Sequence, residues 1–184
     1  MDALRFLAAH HVEGIARLRE HLARNPSRDE QRHGRLQAQL AAQALLAGVR
    51  PVLEPPVGDL RLGDVLLELR GFNRGGSSTG TSRRLVRAIE LKAKQTRTAP
   101  SVWVWIEDDG AFPDLDDTAV PGLERVFASW PHLEGVVLSG PLPIALPRAH
   151  GFGPLTVVHR PGLPPDRYAL IHRLCSSGGR PSCT

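Results

Sequence analysis

The sequence predicts a single α/β (α+β) domain in which helices flank a mixed central β-sheet. Its 184 residues suffice for one compact domain and are too few for two large ones. Apolar residues in the first 48 positions recur at helical spacing, and after residue 51 the pattern changes to the alternation of strands. Further along, helical and strand-like segments alternate, which indicates a helical crossover between neighbouring strands.

The first 48 residues predict a helical hairpin packed on the core. Residues 2–24 read as one helix, because apolar side chains return every three or four positions until Asn25-Pro26 breaks the pattern. Ser27 is expected to cap a second helix, since Glu30 follows three residues later as in a capping box. Gly48 is where that helix should end.

Residues 51–70 predict a short strand followed by a β-hairpin. Gly63-Asp64 suits a two-residue turn between alternating segments. This register gives the hairpin one wholly apolar face, made of Leu60, Leu62, Val65, Leu67 and Leu69. The other face carries Asp59 directly opposite Glu68.

The rest of the chain predicts alternating helices and strands around a loop at 71–82. A third helix should begin at Thr81 or Ser82 and end before Ala99-Pro100. The further segments expected are strands at 101–106 and 135–139, a helix at 121–130, a short strand at 155–158 and a helix at 165–175. We divide the chain into a hairpin (1–48), a core (49–140), a C-terminal extension (141–175) and a disordered tail (176–184).

Two carboxylates at opposed positions of a hairpin require a cation nearby. Their Cβ atoms would be roughly 5 Å apart, so the two charges repel. A divalent metal, Mg²⁺ or Mn²⁺, held by Asp59 and Glu68 would neutralise them and could activate a water for attack on a phosphodiester. Alternatively, Arg61 and Arg70 neutralise them in a solvated charged ladder. The spacing alone leaves both alternatives open.

These residues resemble the PD-(D/E)XK, or restriction-endonuclease-like, nuclease superfamily. The shared features are an α-β-β-β-α-β order over about residues 28–140, Asp59 on one strand and the acidic-x-basic triplet Glu68-Leu69-Arg70 on the next. The resemblance implies a Mg²⁺- or Mn²⁺-dependent endonuclease-type hydrolase. Arg70 stands where the family has lysine, and arginine cannot shuttle protons.

In relatives of this family the lysine can move to the following helix. Lys92 and Gln95 are available there, which makes them candidate catalytic residues together with Asp59, Glu68 and Arg70. The same departure supports a second hypothesis, an inactive nuclease-like fold that binds nucleic acid or protein.

A different alignment pairs Asp64 with the triplet Glu90-Leu91-Lys92. It requires residues 88–94 to form a strand. The helical spacing of apolar residues there, and the lack of room for a crossover helix before residue 101, argue against it.

Charge and composition indicate the class of partner. The net charge is +4, and Lys92 and Lys94 are the only lysines, so arginine supplies nearly all of the positive charge. Arginine forks suit phosphate groups, and we expect nucleic-acid contacts from Arg83, Arg84 and Arg87. Arg74, in the loop 71–82, is expected to donate to a phosphodiester over which that loop closes.

Features that are missing from the sequence argue against a membrane partner, a secreted protein and a nucleoside triphosphate ligand. No long apolar run or secretory signal is visible, and both cysteines lie in the last ten residues, so no membrane partner and a cytoplasmic location are expected. The segment Gly75–Ser82 lacks the lysine of a P-loop, so no nucleoside triphosphate is expected. The N-terminal helices are the expected surface for a protein partner. The acidic run over 107–117 is typical of a solvated loop.

Overall fold

A computed structural model describes residues 3–24, 27–53, 59–72, 78–108, 119–140 and 155–176. Within these ranges the elements, in chain order, are α1 (Ala3–Ala9), α2 (Ile15–Arg24), α3 (Arg28–Leu46), β1 (Pro51–Leu53), β2 (Leu60–Leu62), β3 (Val65–Phe72), α4 (Ser78–Gln95), β4 (Val102–Asp108), α5 (Ala119–Ser129), β5 (Leu133–Ser139), β6 (Leu155–His159) and α6 (Pro165–Ser176).

The six strands form one mixed sheet in the order β1-β2-β3-β4-β5-β6. The pairs β3–β4 and β4–β5 are parallel, while the other neighbours are antiparallel. The parallel pairs follow from the crossovers, because α4 connects β3 to β4 and α5 connects β4 to β5. The predicted fold class, a mixed sheet flanked by helices in one domain, is confirmed.

Alternation along the hairpin separates the two hydrophobic cores. The predicted apolar face is buried as expected and belongs to the core shared with α1, α2, α3 and α6; it comprises Leu60, Leu62, Val65, Leu67 and Leu69. Leu66 points to the other side, where it joins the core formed with α4 and α5. The register Leu60↔Leu67 and Leu62↔Val65 is the one that a Gly63-Asp64 turn predicts. Glu68, two positions after Leu66, therefore lies on the α4 side of β3.

The prediction of one helix over residues 2–24 is wrong. The chain leaves the helical conformation between α1 and α2, where His11 and Gly14 have φ of 51° and 85°. Here the Glu13 carbonyl accepts a hydrogen bond from Leu53 N–H at 3.0 Å, so this segment pairs with β1 instead of continuing the helix. A Cβ at Gly14 would lie 2.1 Å from the Leu53 carbonyl oxygen, which requires glycine.

Helix α3 is organised as predicted. Ser27 caps it, and its Oγ accepts the Glu30 N–H at 3.3 Å. The helix ends at Leu46, and Gly48 follows with a positive φ of 79°.

Several boundaries differ from the predicted ones. Strand β3 continues to Phe72 and α4 begins at Ser78, so most of the segment predicted as a loop at 71–82 is regular structure. Strand β4 includes Glu107, which was predicted to lie in a solvated loop. The segment predicted as an extension contributes β6 to the sheet and α6 to a core. Residues 177–184 of the predicted tail lie outside the described ranges.

No helix in the described parts of the chain is both long enough and apolar enough to cross a membrane.

Candidate active site

Asp59 and Glu68 are positioned by the hairpin. Glu68 lies within β3 and is only 5% exposed. Asp59 precedes β2 by one residue, and the ladder ends at Leu60↔Leu67. The Asp59 side chain turns towards β3, where its Oδ2 accepts the backbone N–H of Leu69 at 2.8 Å. The prediction placed Asp59 on a strand directly opposite Glu68; instead Asp59 lies just before β2, one position beyond the last paired residue, and reaches β3 through its side chain.

Lys92 joins these two carboxylates. It lies in the last turn and a half of α4, with Nζ 2.6 Å from Glu68 Oε2 and 3.8 Å from Asp59 Oδ2. Its neighbours Ile89 and Ala93 are fully buried against the sheet, which fixes the helix in this orientation. The lysine that contacts these two carboxylates thus belongs to the crossover helix.

Helix α3 holds Asp59 from the opposite side. His33 Nε2 lies 3.2 Å from Asp59 Oδ1, and the buried Gln37 amide donates to the Asp59 backbone carbonyl. His33 and Gln37 are four residues apart, so they share one side of α3. Both oxygens of the Asp59 carboxylate are therefore engaged, one by His33 and the other by Leu69.

The proximity of these charges shifts their pKa values in different directions. The hydrogen bond to Asp59 raises the pKa of His33 above its usual range, although burial and Lys92 oppose this. Burial acts to raise the pKa of Asp59, but His33, Lys92 and the Leu69 N–H outweigh it, so the net pKa is lowered. Burial raises the pKa of Glu68, and the Lys92 ammonium offsets only part of that effect. Asp59 is consequently the more strongly ionised of the two carboxyl groups.

A cavity of about 580 Å³ opens beside this cluster. Asp59 and Lys92 line it, as do Leu69, Arg70 and Gly71 at the carboxyl end of β3 and Glu107 near the carboxyl end of β4. Ligands in α/β sheets commonly bind at the carboxyl ends of parallel strands. From α3 the cavity receives Asp29, Glu30, Arg32, His33 and Leu36. Glu68 does not line it and lies behind Lys92.

An ion pair ties α3 to β4 at the edge of this cavity. Arg32 Nε donates to Glu107 Oε2 at 2.8 Å, and the Glu107 side chain is 8% exposed. Glu107 belongs to the acidic run that was predicted to be solvated, and that prediction is wrong for this residue. Glu107 is buried because it belongs to β4 and pairs with Arg32, which lies on α3 and is 75 residues away in the sequence.

Of the remaining predicted site residues that the structure describes, Arg70 lines the cavity and the others do not. Arg70 is half-buried and lines the cavity. Gln95 is exposed and does not line it. The three arginines predicted to contact nucleic acid, Arg83, Arg84 and Arg87, are exposed on α4 and do not line it either. Since each helical residue advances about 100°, Arg83 lies roughly half a turn away from Lys92. Arg74 lies outside the described residues.

Two of the alternatives considered from sequence are wrong. Within the described residues, Asp59 and Glu68 form ion pairs with His33 and Lys92, whereas Arg61 is exposed, so a ladder of Arg61 and Arg70 does not neutralise them. The triplet Glu90-Leu91-Lys92 is helical, and Asp64 pairs with Arg167 of α6. The alignment through Asp64 is thereby excluded.

The donor types of this cluster suit a hard divalent cation. Mg²⁺ and Mn²⁺ take carboxylate oxygens and commonly retain several waters, so Asp59 and Glu68 would supply the protein ligands. Among the described residues, no three His, Cys, Asp or Glu side chains are grouped so as to hold a metal by themselves. Asp59 Oδ2 and Glu68 Oε2 both face the Lys92 ammonium, so the charge that a cation would neutralise is already paired with this lysine.

Sequence reasoning missed His33, Gln37, Arg32 and Glu107. A signal for the first two exists: polar residues at positions 33 and 37, four residues apart, lie beside the buried residue Leu36 in a helix whose buried positions are mostly apolar. For Arg32 and Glu107 we find no local signal, because they are 75 residues apart.

No family model matches this chain, and neither does any curated protein or solved structure.

Proposed function

We propose that this chain is a divergent nuclease-like phosphodiesterase that acts on nucleic acid, with Asp59, Glu68 and Lys92 as its catalytic residues and Mg²⁺ or Mn²⁺ as its cofactor. The observation that carries this proposal is the contact of Lys92 Nζ with both carboxylates, at 2.6 and 3.8 Å. It gives the hairpin the two acids and one lysine that the PD-(D/E)XK pattern combines, despite Arg70 on β3.

The order of elements around the cluster supports the same proposal. Helix α3, strands β1 to β3, helix α4 and strand β4 follow one another as in the α-β-β-β-α-β core, with the first three strands antiparallel and β4 parallel to β3. A fold alone does not define an activity, so the proposal depends on the side chains and not on this order.

In this reaction each residue has a distinct task. Asp59 and Glu68 would hold the metal, which when bound would polarise the phosphate and lower the pKa of a water. Lys92 would orient that water by donating a hydrogen bond to it. His33 keeps the Asp59 carboxylate in place, and Arg70 offers a guanidinium to a phosphate in the cavity. The water oxygen forms a bond to phosphorus, the bond to the leaving sugar oxygen breaks, and that oxygen takes up a proton.

The test is cleavage of labelled DNA and RNA by the full chain with Mg²⁺ or Mn²⁺. Asp59→Asn should reduce the rate at least about 100-fold, since it removes a metal ligand. Asp64→Asn is the matched control, because Asp64 lies on the same hairpin but is exposed and pairs with Arg167. Cleavage that persists in Asp59→Asn, or no cleavage by the unmodified protein, would contradict the proposal.

A second candidate function is a nucleic-acid-binding module without catalysis. It is favoured by the Lys92–Glu68 contact itself, since an ion pair of 2.6 Å with a side chain 6% exposed can serve structure alone. Calorimetry with Mn²⁺ and nucleic-acid binding across salt concentrations separate the two candidates. Salt-sensitive binding without metal uptake would indicate the module.

A further inference from the structure

The main chain of Lys92 is fixed, but its side chain is not enclosed on every side. Thr96 Oγ1 donates to the Lys92 carbonyl at 2.9 Å, and both Thr96 and Ala93 are buried. The Lys92 side chain is 18% exposed and borders the cavity. A rotation about its four-carbon stem can therefore move the ammonium from the carboxylates into the cavity while α4 stays in place.

The Lys92 ammonium lies where the charges of the two carboxylates are closest to each other. Lys92 contacts Asp59 through Oδ2 and Glu68 through Oε2, the atoms that lie on either side of its ammonium. A divalent cation held by both carboxylates would therefore lie close to this ammonium. Two cations about 4 Å apart in a protein repel each other, so binding of one weakens binding of the other.

We propose that the Lys92 ammonium and a divalent cation compete for the position between Asp59 and Glu68, so that metal binding moves Lys92 into the cavity. This inference rests on the proposed function only in that the same carboxylates hold the metal. It adds a regulatory property: the lysine lowers the affinity for metal, and it reaches the space in front of the carboxylates, where a substrate phosphate would bind, only once it has been displaced.

The first test measures Mn²⁺ affinity by calorimetry. Lys92→Met and Lys92→Gln should bind Mn²⁺ on the order of tenfold more tightly than the unmodified protein, since the competing charge is removed. Lys94→Met is the matched control, because Lys94 is exposed two residues further along α4, and its affinity should be unchanged. The titrations belong at about pH 8, well above the usual pKa range of a carboxyl group. Lys92 variants that bind Mn²⁺ no more tightly than the unmodified protein would overturn the inference.

The second test needs no substitution and so does not depend on the folding of a variant. Lys92 and Lys94 are the only two lysines, so ¹³Cε-lysine labelling gives one NMR signal for each. Adding Mg²⁺ should shift the Lys92 signal and leave the Lys94 signal in place. A Lys92 signal that stays unchanged while Mg²⁺ binds would overturn the inference.

Failure of this inference can be distinguished from failure of the proposed function. Metal-dependent cleavage together with equal Mn²⁺ affinities for the unmodified protein and Lys92→Gln would refute the competition alone. Absence of Mn²⁺ binding from all of these proteins would refute both.

Discussion

Two glutamates of the sheet are equally buried and yet differ in surroundings. Glu68 on β3 and Glu134 on β5 are each 5% exposed. Glu134 accepts a hydrogen bond from the Trp103 indole N–H at 3.1 Å, and Arg167 Nε lies 3.8 Å from its other oxygen. Glu68 has a 2.6 Å contact with Lys92, a second carboxylate within reach of the same ammonium, and a cavity in front of that ammonium.

The difference shows that burial of a carboxylate does not by itself indicate a site. Glu134 accepts a hydrogen bond from the Trp103 indole and lies near Arg167, which also pairs with Asp64. Through Arg167, α6 is therefore linked both to β5 and to the turn of the hairpin. At Glu68, a second carboxylate, Asp59, lies within reach of the same ammonium, and Lys92 and His33 together neutralise the pair. Like charges brought together beside a cavity are typical of functional sites, which is the reason for the role proposed above.

The largest expected effect is on the rate of cleavage, which should respond differently to substitution of the two glutamates. Glu68→Gln should lower metal-dependent cleavage at least about 100-fold, because a carbonyl oxygen replaces an anionic ligand. Glu134→Gln should leave the cleavage rate within about twofold of the unmodified protein, since it retains an acceptor for Trp103. If folded Glu68→Gln and Glu134→Gln lost similar amounts of cleavage activity, the two glutamates would not differ in function and this prediction would be wrong.

The next effect concerns stability. Lys92→Ala should lower the free energy of unfolding by about 2 kcal/mol, because it leaves the buried Glu68 carboxylate without its cation. Arg167→Ala should change the denaturation midpoint little, since that guanidinium is largely solvated and Glu134 keeps the Trp103 N–H. Urea denaturation of both variants at neutral pH checks this prediction; an equal or larger loss in Arg167→Ala would reverse it.

The smallest expected effect is a pH dependence at the His33–Asp59 pair. The raised pKa of His33 adds stability below about pH 6.5, which is lost as the pH rises through the folded-state value. The lowered pKa of Asp59 adds stability above about pH 4, which is lost as the pH falls through its folded-state value.

His33→Gln should therefore cost more at about pH 5.5 than at about pH 8.5, by about 1 kcal/mol or less, because both side chains are partly solvated. Denaturation of the variant and of the unmodified protein at the two pH values gives the measurement. A cost that is independent of pH would show that the pair does not titrate as its contacts indicate.

The parts of the fold that depend on contacts between neighbouring residues could be predicted from the sequence. The Gly63-Asp64 turn fixes the register of the hairpin, and with it the side of β3 on which Glu68 lies, because side chains alternate along a strand. Ser27 and Glu30 fix the start of α3 through contacts three residues apart. The apolar spacing of α4 predicts a helix there, and the resemblance to the nuclease superfamily then made Lys92 on that helix a candidate.

Which side chains of the site come into contact depends on tertiary packing and could not be predicted from local patterns. Lys92 and Glu68 are 24 residues apart, His33 and Asp59 are 26 apart, and Arg32 and Glu107 are 75 apart. Local patterns do not specify the angle at which α3 and α4 cross the sheet; the packing of two separate cores on its two faces does. For the same reason Glu107, which resembles a loop residue by its acidic neighbours, is buried at the end of a strand beside a helix that the sequence places far from it.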